Sequence, residues 1–154
     1  MGHYPAFICK NGHCRSSLAH TCTDKFCEKC GAAIISKCPH CGNTIKGRSD
    51  DSFGYVGKYT IPSYCKDCGN PYPWTSSAIQ ATIAILAEDE NLSADAHKKI
   101  VEILPDVMEE TPKSQLAVIR LKKALTSIGK FAAEGLRQFI IDFGCEVVKQ
   151  QMGL

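Results

Sequence analysis

The sequence predicts an α+β fold, with short β-hairpins across residues 1–74 and a bundle of about four α-helices across residues 75–154. Three observations predict it. Nine of the ten cysteines lie before residue 69, and only Cys145 follows. The same half is punctuated by glycine and by short β-type runs. From Thr75 onward, apolar residues recur at spacings of three and four, the period of an amphipathic helix.

Taken in order, the β-type runs are Ala32-Ala33-Ile34-Ile35, Asn43-Thr44-Ile45-Lys46 and Lys58-Tyr59-Thr60-Ile61, the last closed by Pro62, which cannot donate to a ladder. Between the second and third runs, residues 47–57 form a polar loop that holds Asp50 and Asp51. The composition changes at Pro71-Tyr72-Pro73-Trp74-Thr75. Thr75 is placed to cap a helix over 76–88, with Ile79, Ile83 and Leu86 on one face. Ser93 is placed to cap a second over 94–104, ending before Pro105. Thr111 with Pro112 at the first helical position opens a third, to about residue 125. A fourth spans about 127–150, with Ile128, Phe131, Ala132, Leu136, Phe139, Ile140, Phe143 and Val147 as its apolar face. Gly129 and Gly135 weaken it by about 1 kcal/mol each relative to Ala.

Apolar residues make up 44% and charged residues 22%, the balance of an ordinary globular chain and not of a disordered one. Residues 1–74 carry nine Lys/Arg against five Asp/Glu, residues 75–111 two against eight, and residues 112–154 seven against three. Two basic ends flank an acidic middle, which falls short of a nucleic-acid footprint. The first residues lack a basic segment followed by an apolar run, and the apolar stretches are far shorter than the ~20 residues a spanning helix needs. A cytoplasmic protein is expected.

The chemistry lies in Cys27-Glu28-Lys29-Cys30-Gly31, Cys38-Pro39-His40-Cys41-Gly42 and Cys65-Lys66-Asp67-Cys68-Gly69. Two thiolates on one tight turn, with backbone N–H groups aimed at the sulfurs, form half of a tetrahedral metal site, and glycine lets the chain turn away afterwards. In a reducing compartment such pairs are metal ligands rather than disulfides. Three pairs supply six ligands where two tetrahedral sites need eight. The fourth pair must lie upstream: Cys9 with His13 is preferred, Cys9 with Cys14 is the alternative, and Cys22 is a spare thiol. Sequential pairing then joins Cys9/His13 to Cys27/Cys30 and Cys38/Cys41 to Cys65/Cys68, the arrangement of a double zinc ribbon. A cross-brace of the RING type is disfavoured, because seven residues separate the second and third pairs where a RING has two or three.

Both sites can be closed by four protein ligands, whereas a catalytic zinc keeps a position for water. There is no His-Glu-x-x-His and no deaminase signature, nor the βαβ context of a redox Cys-x-x-Cys. Two structural Zn²⁺ ions and no enzymatic activity are expected. About seventy residues with few large aliphatics need such staples, and structural zinc contributes about 10–16 kcal/mol in small modules.

The order Ile8-Cys9-Lys10-Asn11-Gly12-His13, Phe26-Cys27, Cys30-Gly31, Cys38-Pro39, Cys41, Tyr64-Cys65 and Cys68-Gly69 resembles an uncharacterised bacterial zinc-ribbon family. Asn70-Pro71-Tyr72-Pro73-Trp74-Thr75 and Thr111-Pro112-Lys113-Ser114-Gln115-Leu116-Ala117-Val118 belong to the same pattern, so the likeness covers nearly the whole chain. The resemblance implies the metal sites and a bacterial origin, favours Cys9 and His13 as the first pair, and carries no activity. Cys14 and Cys22 depart from the pattern.

Several further features admit both a functional and a plainer reading. Trp74 with Tyr55, Tyr59, Tyr64 and Tyr72 is a candidate base-stacking surface, but Trp74 packing the ribbon against the first helix is the simpler account. Lys46, Arg48 and Lys58 are candidate phosphate contacts or a solvated loop. Arg120, Lys122, Lys123, Lys130, Arg137 and Lys149 form a basic side on the last helices, fit for an acidic partner or an anionic membrane through residues 112–154, or simply a solvated face. Cys145 reads as a buried small hydrophobe. The leading expectation is a non-enzymatic interaction module that docks another protein or a second copy of itself. Nucleic-acid binding is the runner-up, and membrane activity of residues 112–154 the next.

Overall fold

The computed structural model describes residues 2–49 and 58–154, so Asp50, Asp51 and Tyr55 of the expected loop and aromatic set lie outside the described residues. The chain divides into two compact units, Met1–Ser77 and Ala78–Leu154. It is an α+β fold, with small antiparallel strands first and helices after.

The first unit contains β1 (His3–Pro5), β2 (Phe7–Cys9), β3 (Cys14–Ser16), β4 (Ile34–Ile35) and β5 (Lys46–Ser49). β2 is the middle of an antiparallel β3-β2-β4 sheet, with Ile8 opposite Ile35 and Cys9 opposite Ile34, while β1 pairs with β5. The core is small: Ala6, Ile8, Ile45, Tyr72 and Trp74 around the sulfurs of Cys38 and Cys65.

Two β-type runs differ from expectation. Asn43 to Ile45 close a metal-type turn, with the Cys38 N–H donating to the Asn43 carbonyl at 2.8 Å and the Ile45 N–H to Ser36 at 2.9 Å, so the strand starts only at Lys46. Residues 58–61 form no strand; the Tyr59 hydroxyl reaches the Lys46 carbonyl, and a side chain makes the link a ladder would have made. Strands β1 to β3 had no periodic signal, because three residues are too few to show a period of two.

There are five helices among the described residues, one more than the sequence suggests. α1 (Pro73–Ala87) starts with Pro73 in its first turn, where the missing N–H costs nothing. Thr75 is therefore inside the helix and is not its cap; its hydroxyl donates to the Ser63 carbonyl at 2.7 Å. α2 (Ala94–Met108) is capped by Ser93, whose oxygen accepts from the Ala96 N–H at 3.2 Å, as expected, but it continues through Pro105. An internal proline costs about 3 kcal/mol. Val107 and Met108, both buried beyond it, each return about 1.5–3 kcal/mol, so the extra turn survives.

α3 (Ser114–Leu125) starts two residues after Pro112, which sits in the preceding turn. There Thr111 Oγ1 accepts from the Lys113 N–H, and Ser114 Oγ accepts from the Thr111 N–H while donating to Glu109. The expected last helix is broken into α4 (Lys130–Phe143) and α5 (Glu146–Met152). At Gly144 a Cβ would lie 2.4 Å from the Ile140 carbonyl oxygen, so only glycine fits. The Cys145 N–H then donates to Val107 at 2.8 Å, turning the chain back toward the end of α2. Cys145 is thus the half-buried N-cap of α5, not a buried mid-helix residue. Phe131, expected on the apolar face, is 73% exposed, and Val148 rather than Val147 is buried. No helix among the described residues is long and apolar enough to cross a membrane.

Candidate metal centres

Four turns of one design project the candidate ligands. Each is bracketed by a bridged pair of residues: Ile8 with Cys14, Phe26 with Ala33, Lys37 with Thr44, and Tyr64 with Pro71. In the last three, the N–H of the glycine donates back to the carbonyl of the first cysteine, Gly31 to Cys27 at 2.7 Å, Gly42 to Cys38 at 2.9 Å and Gly69 to Cys65 at 2.8 Å. These glycines have φ of 74°, 76° and 72°. A Cβ at any of them would meet nothing within 4 Å, so the demand is for a left-handed backbone and not for room. The first turn is a variant in which Gly12, at φ 90°, precedes the second ligand and donates to Cys9.

This geometry aims N–H groups at sulfur. The backbone N–H two residues on reaches each thiol: Lys29 to Cys27, Ala32 to Cys30, Asp67 to Cys65 and Asn70 to Cys68. Those donors favour the thiolate. The N–H groups of Asp67 and Cys68 bring the Cys65 thiol down to about 6. Cys27 and Cys30 are lowered for the same reason, and Cys68 most by the Asn70 side chain, whose Nδ2 is 3.5 Å from its sulfur. Cys9 moves up through burial. Cys41 has its Asn43 N–H donor outweighed by burial and its three thiol neighbours, which push it to about 12. Four thiols so close cannot all ionise without a cation among them.

The turns meet in two groups, Cys9, His13, Cys27 and Cys30, and Cys38, Cys41, Cys65 and Cys68, with the ligand atoms of each all within 4.8 Å of one another. The grouping is the sequential one. The β2–β4 pairing and the Lys10 N–H bonded to Ala33 at 3.0 Å lay the first turn on the second. In the first group, His13 Nδ1 lies 3.5 Å from Cys9 Sγ and 3.6 Å from Cys27 Sγ, and Cys9 Sγ lies 3.7 Å from Cys30 Sγ. In the second, Cys38–Cys68 and Cys41–Cys65 are both 3.7 Å. A disulfide would be about 2.05 Å. A tetrahedral ion with metal–sulfur bonds of about 2.3 Å and a metal–nitrogen bond of about 2.0–2.1 Å has edges of about 3.8 Å between sulfurs and about 3.6 Å from sulfur to nitrogen. The observed separations match those edges, and the donor set of seven sulfurs and one imidazole suits a tetrahedral metal.

The structure does not bring Cys14, Cys22 or Cys145 into either group. Cys14 follows His13 in extended chain, where successive side chains point to opposite faces. Cys22 is directed to the Asp24 carbonyl.

Trp74 packs in the core, in keeping with the plainer of its two expected readings, while sequence reasoning missed that Tyr72 joins it there and that the pair reaches the first turn. Tyr72 and Trp74 are 3% and 4% exposed, with rings stacked at 4.8 Å, so they are core and offer no face to a base. Burial and the nearby Cys65, to which its hydroxyl bonds, hold the Tyr72 proton on well above the usual range. Trp74 Nε1 donates to the Pro62 carbonyl at 2.8 Å, and its side chain covers Gly12 of the first turn. The signal available in the sequence was an aromatic pair adjoining the last Cys-x-x-Cys-Gly.

A family model described as an uncharacterized protein conserved in bacteria (DUF2321) matches residues 3–152. No curated protein and no solved structure matches the chain significantly.

Proposed function

The chain belongs to that uncharacterised bacterial family, and from this premise we propose that it is a non-enzymatic docking module for another protein, its first unit stapled by two structural zinc ions. One observation carries the reading. Each group supplies four side-chain donors to one point, which leaves no position for a water or substrate on a tetrahedral ion. Zinc suits a mixed sulfur and imidazole set and needs no redox partner.

The second unit supports the docking part. The outer face of α3 exposes Leu116 and Ile119 beside Arg120 and Lys123, an apolar strip edged with cations. Such strips mark interaction surfaces more than they favour folding. With Tyr72 and Trp74 buried, nucleic-acid binding has lost its stacking platform and is the weaker reading.

The test has two parts. Elemental analysis of the freshly purified chain should find two zinc ions per molecule, and affinity capture from the native host should recover a protein partner whose binding survives nuclease treatment. One zinc or none, or capture of nucleic acid alone, defeats the proposal.

A further inference from the structure

Two exposed features of the second unit are matched in size and opposite in charge. Between α2 and α3 lies a cavity of about 200 Å³ with Ala96, Ile100 and Ala124 as its floor and Lys99, Arg120 and Lys123 at its rim. Lys99 is held by Asp95 at 2.7 Å, which leaves Arg120 and Lys123 without a carboxylate partner among the described residues. An apolar cavity of about 150 Å³ is enough for a benzene-sized ring, so this one has room for a phenyl group.

Phe131, in the first turn of α4, is the most exposed large apolar side chain among the described residues. It lines a second cavity together with Glu88 and Glu90, where Lys130 is the single cation. Neither glutamate has a basic partner among the described residues. The chain thus carries a phenyl group flanked by acid and, elsewhere on the same unit, an apolar hollow flanked by base.

We propose that the second unit docks head to tail on a second copy of this chain, with Phe131 entering the α2–α3 cavity of the next copy while Glu88 and Glu90 meet Arg120 and Lys123. Leu116 and Ile119 share one stripe of α3 with Arg120 and Lys123, at helical spacings of three and four, and extend the apolar contact beyond the cavity. Plug and socket share no residue. The contact is therefore heterologous, and copies add one after another unless the rotation closes a ring. The opposed charges select the pairing and speed encounter, and the buried ring holds it. This inference rests on reading the helices as a docking domain, and the experiment separates the two.

The full chain as purified is followed by sedimentation velocity over a concentration series. Its average mass should rise with concentration and fall as salt is added. Phe131→Ala removes a side chain that is already in solvent, so folding is spared, and association should weaken by about thirty-fold or more. The decisive arm is mixing. The double variants Arg120→Glu/Lys123→Glu and Glu88→Lys/Glu90→Lys each set like charges against one another and should be monomeric alone; in the equimolar mixture every plug, kept or reversed, meets a socket of opposite charge, so association should return. A chain monomeric at every concentration, association untouched by Phe131→Ala, or a mixture no heavier than its parts would each overturn the proposal. A monomer that still captures a foreign protein overturns this inference and leaves the docking-module reading standing.

Discussion

Gly12 lies so close to Trp74 that a Cβ on the glycine would sit 3.1 Å from the Trp74 Cβ. Gly12 belongs to the turn that carries Cys9 and His13, whereas Tyr72, stacked on Trp74, bonds to Cys65 of the other group. One short segment therefore touches both candidate centres of the first unit.

That contact should make Gly12→Ala costly for two reasons. It puts a side chain at φ 90°, worth about 1–3 kcal/mol of strain, and it pushes against Trp74. Chemical denaturation should show a loss of about 2–4 kcal/mol, and Trp74→Ala a loss of about 3–5 kcal/mol. A melt unchanged by either variant would mean that the segment is not a brace.

Removing the metal should unfold the first unit. Among the described residues its buried core cluster is seven residues, two of them cysteines, and two structural ions would supply the remaining folding energy. Titration with a chelator should release two equivalents of zinc and collapse the amide NMR signals of residues 2–49 into the narrow range of an unfolded chain. The helical circular-dichroism signal should largely persist, because no residue of either group lies beyond Cys68.

Ligand identity predicts stoichiometry. Cys27→Ser or Cys65→Ser should each reduce bound zinc from two toward one, since a missing thiolate opens its tetrahedron. Cys14→Ser and Cys22→Ser should leave two. His13→Cys should also retain two, because a thiolate fits the same vertex. Elemental analysis of the purified variants decides, and loss of zinc in Cys14→Ser would overturn the grouping.

The three turn glycines should tolerate little change for conformational reasons alone. Gly31→Ala and Gly69→Ala face open space, so the expected cost is the left-handed backbone, about 1–2 kcal/mol each. Asparagine, which visits that region more readily, should cost less than alanine at both sites in thermal melts. Equal losses would show that something other than backbone strain is at work.

Much of the metal chemistry was legible in the residue order, and the spacing rule explains why. A Cys-x-x-Cys-Gly turn is local: its hydrogen bonds run between residues four or five apart, as from Gly31 to Cys27 and from Cys27 to Ala32. The choice among His13, Cys14 and Cys22 was not local. It depends on the β2–β4 pairing, which sets which face of the first turn meets Cys27 and Cys30. The helix ends were misread for a related reason. Pro105 and Gly144 are read locally as a stop and as nothing in particular, while burial of Val107 and the Ile140 carbonyl beside Gly144 reverse both readings.

By itself the sequence determined the number of thiol pairs, their order along the chain and the change from hairpins to helices, since each of these follows from contacts between near neighbours. Tertiary structure alone decided that Tyr72 would join Trp74 in the core, that Phe131 would stand in solvent, and that the sulfur–sulfur and sulfur–nitrogen separations would take the lengths of tetrahedral edges. Those outcomes depend on where distant segments come to rest against one another, and that is set by the balance of burial, donor satisfaction and charge over each folded unit.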